Sequence, residues 1–174
     1  DLSSATFILV PNVLLVAVVM VFATGFANAQ KIASVDINSI FTAMPEMKAL
    51  DTQLQSLQTA KQTELEKQGK SLQDLMKKYQ DEAPKQTQAI NEQRSQEVQK
   101  LQDNLQQMYT AAQKDIAEKR DAGLAPIEKK INDANTKVSK AAGYEFVFDA
   151  SSPALVYKAG TDATPAVKKE LGLK

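Results

Sequence analysis

The chain has 174 residues, no cysteine, no histidine and a net charge of zero. This excludes disulfide and thiolate chemistry and removes the commonest general base and soft metal ligand. It also gives no strong pull toward nucleic acid or anionic lipid. Only 6% of the residues are aromatic and none is tryptophan, which suits an elongated helical protein better than a thick globular core.

In chain order, the first pattern is the apolar run Val13 to Ala23, followed by Thr-Gly-Phe and the small-residue triplet Ala27-Asn28-Ala29. A run this short, ending in an A-x-A site, reads as an export leader over residues 1–29, cleaved before Gln30. A spanning helix needs ~20 apolar residues. No Lys or Arg stands before Lys31, so an uncleaved membrane anchor is the rival reading.

Lys31 to Asp36 alternates Ile32 and Ser34 against Ala33 and Val35, as a short strand does. Asp36 or Asn38 can cap a following short helix that carries Ile37, Ile40, Phe41 and Met44 on one face. Pro45 ends that pattern and suits the first turn of the next helix.

From Pro45 to Pro126 the chain is rich in Gln, Lys and Glu, with a narrow apolar stripe. Outward, Leu50, Leu54, Leu57, Leu65, Leu72 and Leu75 recur mostly at steps of three and four, the seam of a coiled coil. A similar stripe returns from Ile90 to Val138. Each stripe contains one eleven-residue step, Leu54 to Leu65 and Leu105 to Ile116. Folding the chain near Pro84, with a tip at 81–88, sets these two steps opposite each other. That predicts an intramolecular antiparallel hairpin of ~40 residues per arm, or ~60 Å. Lys61, Gln68 and Arg94 interrupt the seam, which makes the arm marginally rigid. Pro45 and Pro126 fall at one height, with Gly123 beside them, and are the candidate hinge. Met76, Met108 and Tyr109 flank the seam and are candidates for soft apolar contacts with a bound chain; packing that widens the seam is an equal reading.

After the returning helix, Gly143 is placed as a left-handed cap. Tyr144 to Asp149 then alternates aromatic and other residues as the strongest strand, and Ala154 to Tyr157 reads as a second. Asp162 or Thr164 caps a last helix with Pro165 at its first position. The whole is an α+β protein: a small body from 30–44 and 127–174, and a helical hairpin arm from 45–126. Ile32, Val35, Tyr144, Phe146, Phe148, Leu155 and Tyr157 give the body much apolar surface for association with copies of itself.

The sequence around KIASVDINSIF, Pro126-Ile127, GYEFVFD and TDATP, joined by a Gln/Lys/Glu-rich hairpin, resembles the Skp/OmpH family of periplasmic chaperones over Gln30–Lys174. The resemblance implies a homotrimer with three projecting arms around a cavity. There it would hold unfolded outer-membrane proteins without ATP, in the periplasm of a Gram-negative bacterium. It implies no catalytic residue, cofactor, metal or nucleic-acid partner, and leaves contact with membrane or lipopolysaccharide open. A structural or membrane-anchored envelope coiled coil is the alternative. An enzyme is disfavoured, since there is no glycine-rich phosphate loop and Ser139–Lys140 has no context for a nucleophile.

Overall fold

A computed structural model describes residues 29–174. The expected export leader therefore falls, except for Ala29, outside the described residues. Strand β1 (Ile32–Val35) leads into helix α1 (Ile37–Ala43) and then into the long helix α2 (Pro45–Glu82). A single 3-10 turn, Ala83–Lys85, reverses the chain into α3 (Gln88–Ala142). Strands β2 (Phe146–Asp149) and β3 (Thr161–Asp162) and helix α4 (Thr164–Glu170) complete the fold. The architecture is α+β, a small sheet with a long helical hairpin, as the sequence predicts.

Local chemistry sets each boundary. Asp36 caps α1, its side chain accepting from the Ser39 amide at 2.9 Å. Met44 is extended (φ −73°, ψ 128°), as a residue before proline prefers, and Pro45 opens α2 where its missing N–H costs nothing. The Thr87 hydroxyl caps α3 through the Ile90 amide. Gly143 closes that helix at φ 71°, with its amide on the Lys140 carbonyl and the Tyr144 amide on the Ser139 carbonyl. Those bonds hold Tyr144 in the cap, so β2 starts at Phe146, two residues later than the alternation predicts.

The sheet has the order β2-β1-β3, with both neighbours parallel to β1. Ile32 pairs with Phe146 and Ser34 with Phe148, and on the other side Ala33 pairs with Thr161. The third strand is not the expected one. Ala154–Tyr157 forms no strand, and Thr161–Asp162 takes the open edge of β1 instead. Val156 is 95% exposed and Tyr157 82%, so within one chain this segment has no ladder partner and only Leu155 is half-buried. The two residues of β3 are held in place by the start of α4. Asp162 accepts from the Thr164 amide at 2.9 Å and from its hydroxyl at 2.6 Å, and the buried Thr164 hydroxyl in turn accepts from the Asp36 amide at 2.9 Å.

The core lies under the inner face of β1. Ala33 and Val35 pack there with Ile40, Met44, Val167 and the body end of α3 (Ile127, Ile131 and Ala134). Leu50 is the last α2 side chain in this cluster. Farther out the hairpin seam is only half-buried, apart from Ala112. Helix α3 continues without a break through Pro126, whose side faces solvent.

Candidate functional site

The described residues present two surfaces with functional potential, the flanks of the arm and the outer face of the sheet. The arm's register is fixed by pairs across the seam. Lys61 meets Asp115 at 2.9 Å, the Tyr79 hydroxyl donates to Glu97 at 2.7 Å, and Lys130 bonds Glu46 at the root. Lys61 and Asp115 sit where the two eleven-residue steps face each other. The hydrogen bond from Lys61 holds the Asp115 carboxyl below its ordinary range, although burial works in the other direction.

Between the helices the incomplete seam leaves shallow hollows. One of about 460 Å³ is floored by Leu65, Ala112 and Ile116 and edged by Gln58, Gln62 and Tyr109. Another, about 280 Å³, lies among Leu72, Leu75, Leu101, Leu105 and Met108. A third, about 290 Å³, lies near the tip beside Met76, Tyr79, Arg94 and Val98. Each of the three expected contact residues thus borders a different hollow, and the structure does not bring them together. Met76 and Tyr109 are exposed, and Met108 is half-buried.

Near the tip the seam turns polar. Arg94 bonds Glu82 at 2.7 Å and lies 4.4 Å above the centre of the Tyr79 ring, while the Asn91 amide donates to the Ala83 carbonyl at 3.0 Å. The bond to Glu97 raises the Tyr79 hydroxyl above its ordinary pKa. In the sequence Arg94 reads only as a break in the apolar stripe. The available signal is that Tyr79 and Glu97, like Glu82 and Arg94, are centred on the same position, Gln88 at the start of α3.

Of the hinge candidates, Pro45 forms the first turn of α2 and Pro126 lies inside α3. Gly123 lies directly under Leu50: a β-carbon there would stand 2.3 Å from Leu50 Cδ1. Its small size seats that leucine.

On the body, Ile32, Phe146 and Phe148 stand half-exposed on the outer face of the sheet, the two rings 6.5 Å apart and nearly parallel. Tyr157 is exposed, and Tyr144 and Leu155 are half-buried. Val35 is a correction to the association set. It is fully buried, because side chains alternate along a strand and Val35 points opposite to Ile32, into the chain's own core. Val156 is more exposed than any of the expected residues, and its only signal in the sequence is its place in an apolar stretch.

At the carboxyl ends of the strands a cleft of about 330 Å³ is lined by Asp36, Asp162, Ser39 and Lys158. Its carboxylates are occupied as caps. Bonds from Thr164 hold Asp162 below its ordinary pKa. Asp149 closes the next turn: burial pushes its carboxyl up, but bonds from Ser151 and the Ile37 amide outweigh this and leave it lowered. Among the described residues no group of three His, Cys, Asp or Glu could hold a metal ion, and no helix is long and apolar enough to cross a membrane.

The family model described as "Outer membrane protein (OmpH-like)" matches residues 31–171. Among solved structures, a chain described as an OmpH-like outer membrane chaperone from Caulobacter crescentus CB15 superposes with a TM-score of 0.71. It covers 82% of this chain and 83% of its own length, at 19% identity, and thus shares the fold. No curated protein matches in sequence.

Proposed function

The chain belongs to the OmpH-like outer membrane protein family, and we propose that it is an ATP-independent periplasmic holdase. It binds unfolded outer-membrane proteins between the arms of a homotrimer and keeps them from aggregating. The observation that carries this reading is the arm itself: two helices of 38 and 55 residues, polar on their outer sides, with several shallow apolar hollows rather than one enclosed pocket. Such a surface suits many weak contacts with an unfolded ensemble. Glutamine amides bond exposed backbone transiently, and Met76, Met108 and Tyr109 offer soft apolar contacts. Separating client chains stops their unfinished strands from pairing edge to edge.

Assembly rests on the body. Ile32, Phe146 and Phe148 on the sheet, and the exposed Val156 and Tyr157 of the following segment, give apolar surface that a second and third copy would cover. The hairpins then project from one side of a common base. No part of this mechanism needs a catalytic group or a nucleotide.

The test mixes purified Gln30–Lys174 with a denatured outer-membrane porin and follows light scattering. Aggregation should be suppressed once trimer equals porin, and Phe148→Asp should abolish both trimer and protection. A trimer that leaves porin aggregation unchanged overturns the holdase reading.

A further inference from the structure

We propose that unfolded chains dock on one of the hairpin's two broad sides, and that this side takes an uncharged, extended stretch of polypeptide. This docking side deepens the holdase reading above and rests on it. On α3 the inward positions from Arg94 to Ala112 recur at steps of three and four. The residues that directly follow them form an exposed stripe of Ser95, Gln99, Gln102, Gln106, Tyr109 and Gln113. The stripe carries no charge over about 27 Å of helix. Helix α2 continues the same side. Gln58 and Gln62 line one hollow with Tyr109 and Gln113, and the Gln102 side-chain nitrogen lies 4.0 Å from the Met76 sulfur. The residues that directly precede inward positions make the opposite side. They include Glu97, Lys100 and Lys114 of α3 and Glu64, Asp74 and Lys78 of α2.

The uncharged side also holds the largest of the three seam hollows, about 460 Å³, together with the exposed Met76 and Tyr109. The two charges lining that hollow are already engaged, Lys61 with Asp115 at 2.9 Å and Glu66 with the Gln62 amide at 2.9 Å. Each glutamine amide both donates and accepts, so the stripe matches unpaired backbone N–H and C=O groups alike. An apolar side chain projecting from the same segment then enters the hollow. A fixed charge on the segment would lose water and find no partner, which costs more than the amide contacts return. A folded partner's backbone groups are already paired, so it would leave the glutamines unmet. Met108 borders a hollow on the opposite side, with Gln68 and Asn104, and is the least of the three expected contacts.

Matched amide-to-acid pairs test the side without changing side-chain shape. Gln102→Glu with Gln113→Glu should weaken binding of denatured porin by about tenfold. Asn104→Asp with Gln107→Glu puts the same charge on the opposite side and should change binding by less than about twofold. Gln102→Lys with Gln113→Lys should weaken it as much as the acidic pair, because a neutral segment is indifferent to the sign of the charge. The unsubstituted protein should bind with less than about a twofold change between about 0.05 and 0.5 M salt. Footprinting reads the same contact with no substitution at all: bound porin should slow peroxide oxidation of Met76 about fivefold and that of Met108 less than about twofold. Equal loss from the two acidic pairs overturns the proposal, as do tighter binding by the lysine pair, steep salt dependence, equal shielding of Met76 and Met108, or displacement of porin by excess folded lysozyme. Self-association of porin-free protein that Gln102→Glu with Gln113→Glu abolishes would assign this side to a second copy and overturn it too. An unsubstituted protein that leaves porin aggregation unchanged overturns the holdase reading and this docking side with it.

Discussion

Helix α3 runs through both body and arm, and the two ends of this one element are held by different physics. At the body end Ile127, Ile131 and Ala134 are buried against a sheet and two short helices, so each apolar side chain has neighbours on every side. At the arm end the same helix meets only α2, and its inward residues, Ala112 apart, keep part of their surface in water. The arm makes up the difference with discrete polar pairs, Lys61–Asp115 in the middle and Arg94–Glu82 near the tip. A two-helix seam can fix register and direction, but it cannot bury enough to be rigid. The body supplies the stability on which the arm depends.

The largest test of this contrast compares equal truncations. Ile131→Ala should cost about 2–5 kcal/mol, whereas Leu72→Ala on the seam should cost less than about 1.5 kcal/mol. Urea unfolding at one fixed protein concentration, followed by circular dichroism, measures both; equal losses would erase the distinction. Gly123→Leu comes next. A better helix former is gained, worth about 0.8 kcal/mol, but the side chain collides with Leu50, and net destabilisation of about 1–3 kcal/mol is expected. A more stable Gly123→Leu protein would mean the arm root is not closely packed.

A pH titration sharpens the comparison further. Asp149 and Asp162, both in the body, have lowered pKa values. Their contribution is therefore complete above the range where unfolded aspartates titrate, near pH 4, and is lost as pH falls through the folded values. The melting temperature should drop from about pH 4 downward, and Asp162→Asn should flatten that drop. An unchanged slope would remove Asp162 from the account. The smallest effect belongs to the arm surface: Lys70→Gln breaks the exposed pair with Asp74 and should cost only about 0.3–0.5 kcal/mol, vanishing in high salt.

Much of this fold is legible in the sequence wherever local rules govern. The Asp36 and Gly143 caps, the proline at the start of α2 and the turn at Pro84 all depend on residues a few positions apart. The fold-back near Pro84 and the rough opposition of the two irregular steps are legible too. The register itself is not: Lys61–Asp115, Tyr79–Glu97 and Glu82–Arg94 all centre on residue 88 rather than on Pro84. The illegible parts involve partners far along the chain. Nothing local distinguishes Thr161–Asp162 from Ala154–Tyr157 as the strand that joins β1. The longer, more apolar stretch is the better strand by composition, and it loses because Thr164 ties the shorter one to Asp36. Likewise Gly123 reads as looseness until Leu50 is found above it. Alternation along β1 suffices to divide Ile32 from Val35, but only the covering helices show which side is inside.

The sheet pairs β1 directly with β2, though the entire hairpin separates them in sequence. Topologically the arm is an insertion in a single strand crossover, with entry and exit fixed side by side. Once its helices zip from the tip, the ends are delivered together, and the entropy of closing so long a loop is spread over many small steps. The insertion also has a free dimension. Matched additions or deletions of whole heptads in α2 and α3 would lengthen or shorten the arm without altering a residue of the body. Reach is thus a trait this fold can vary independently of its stability.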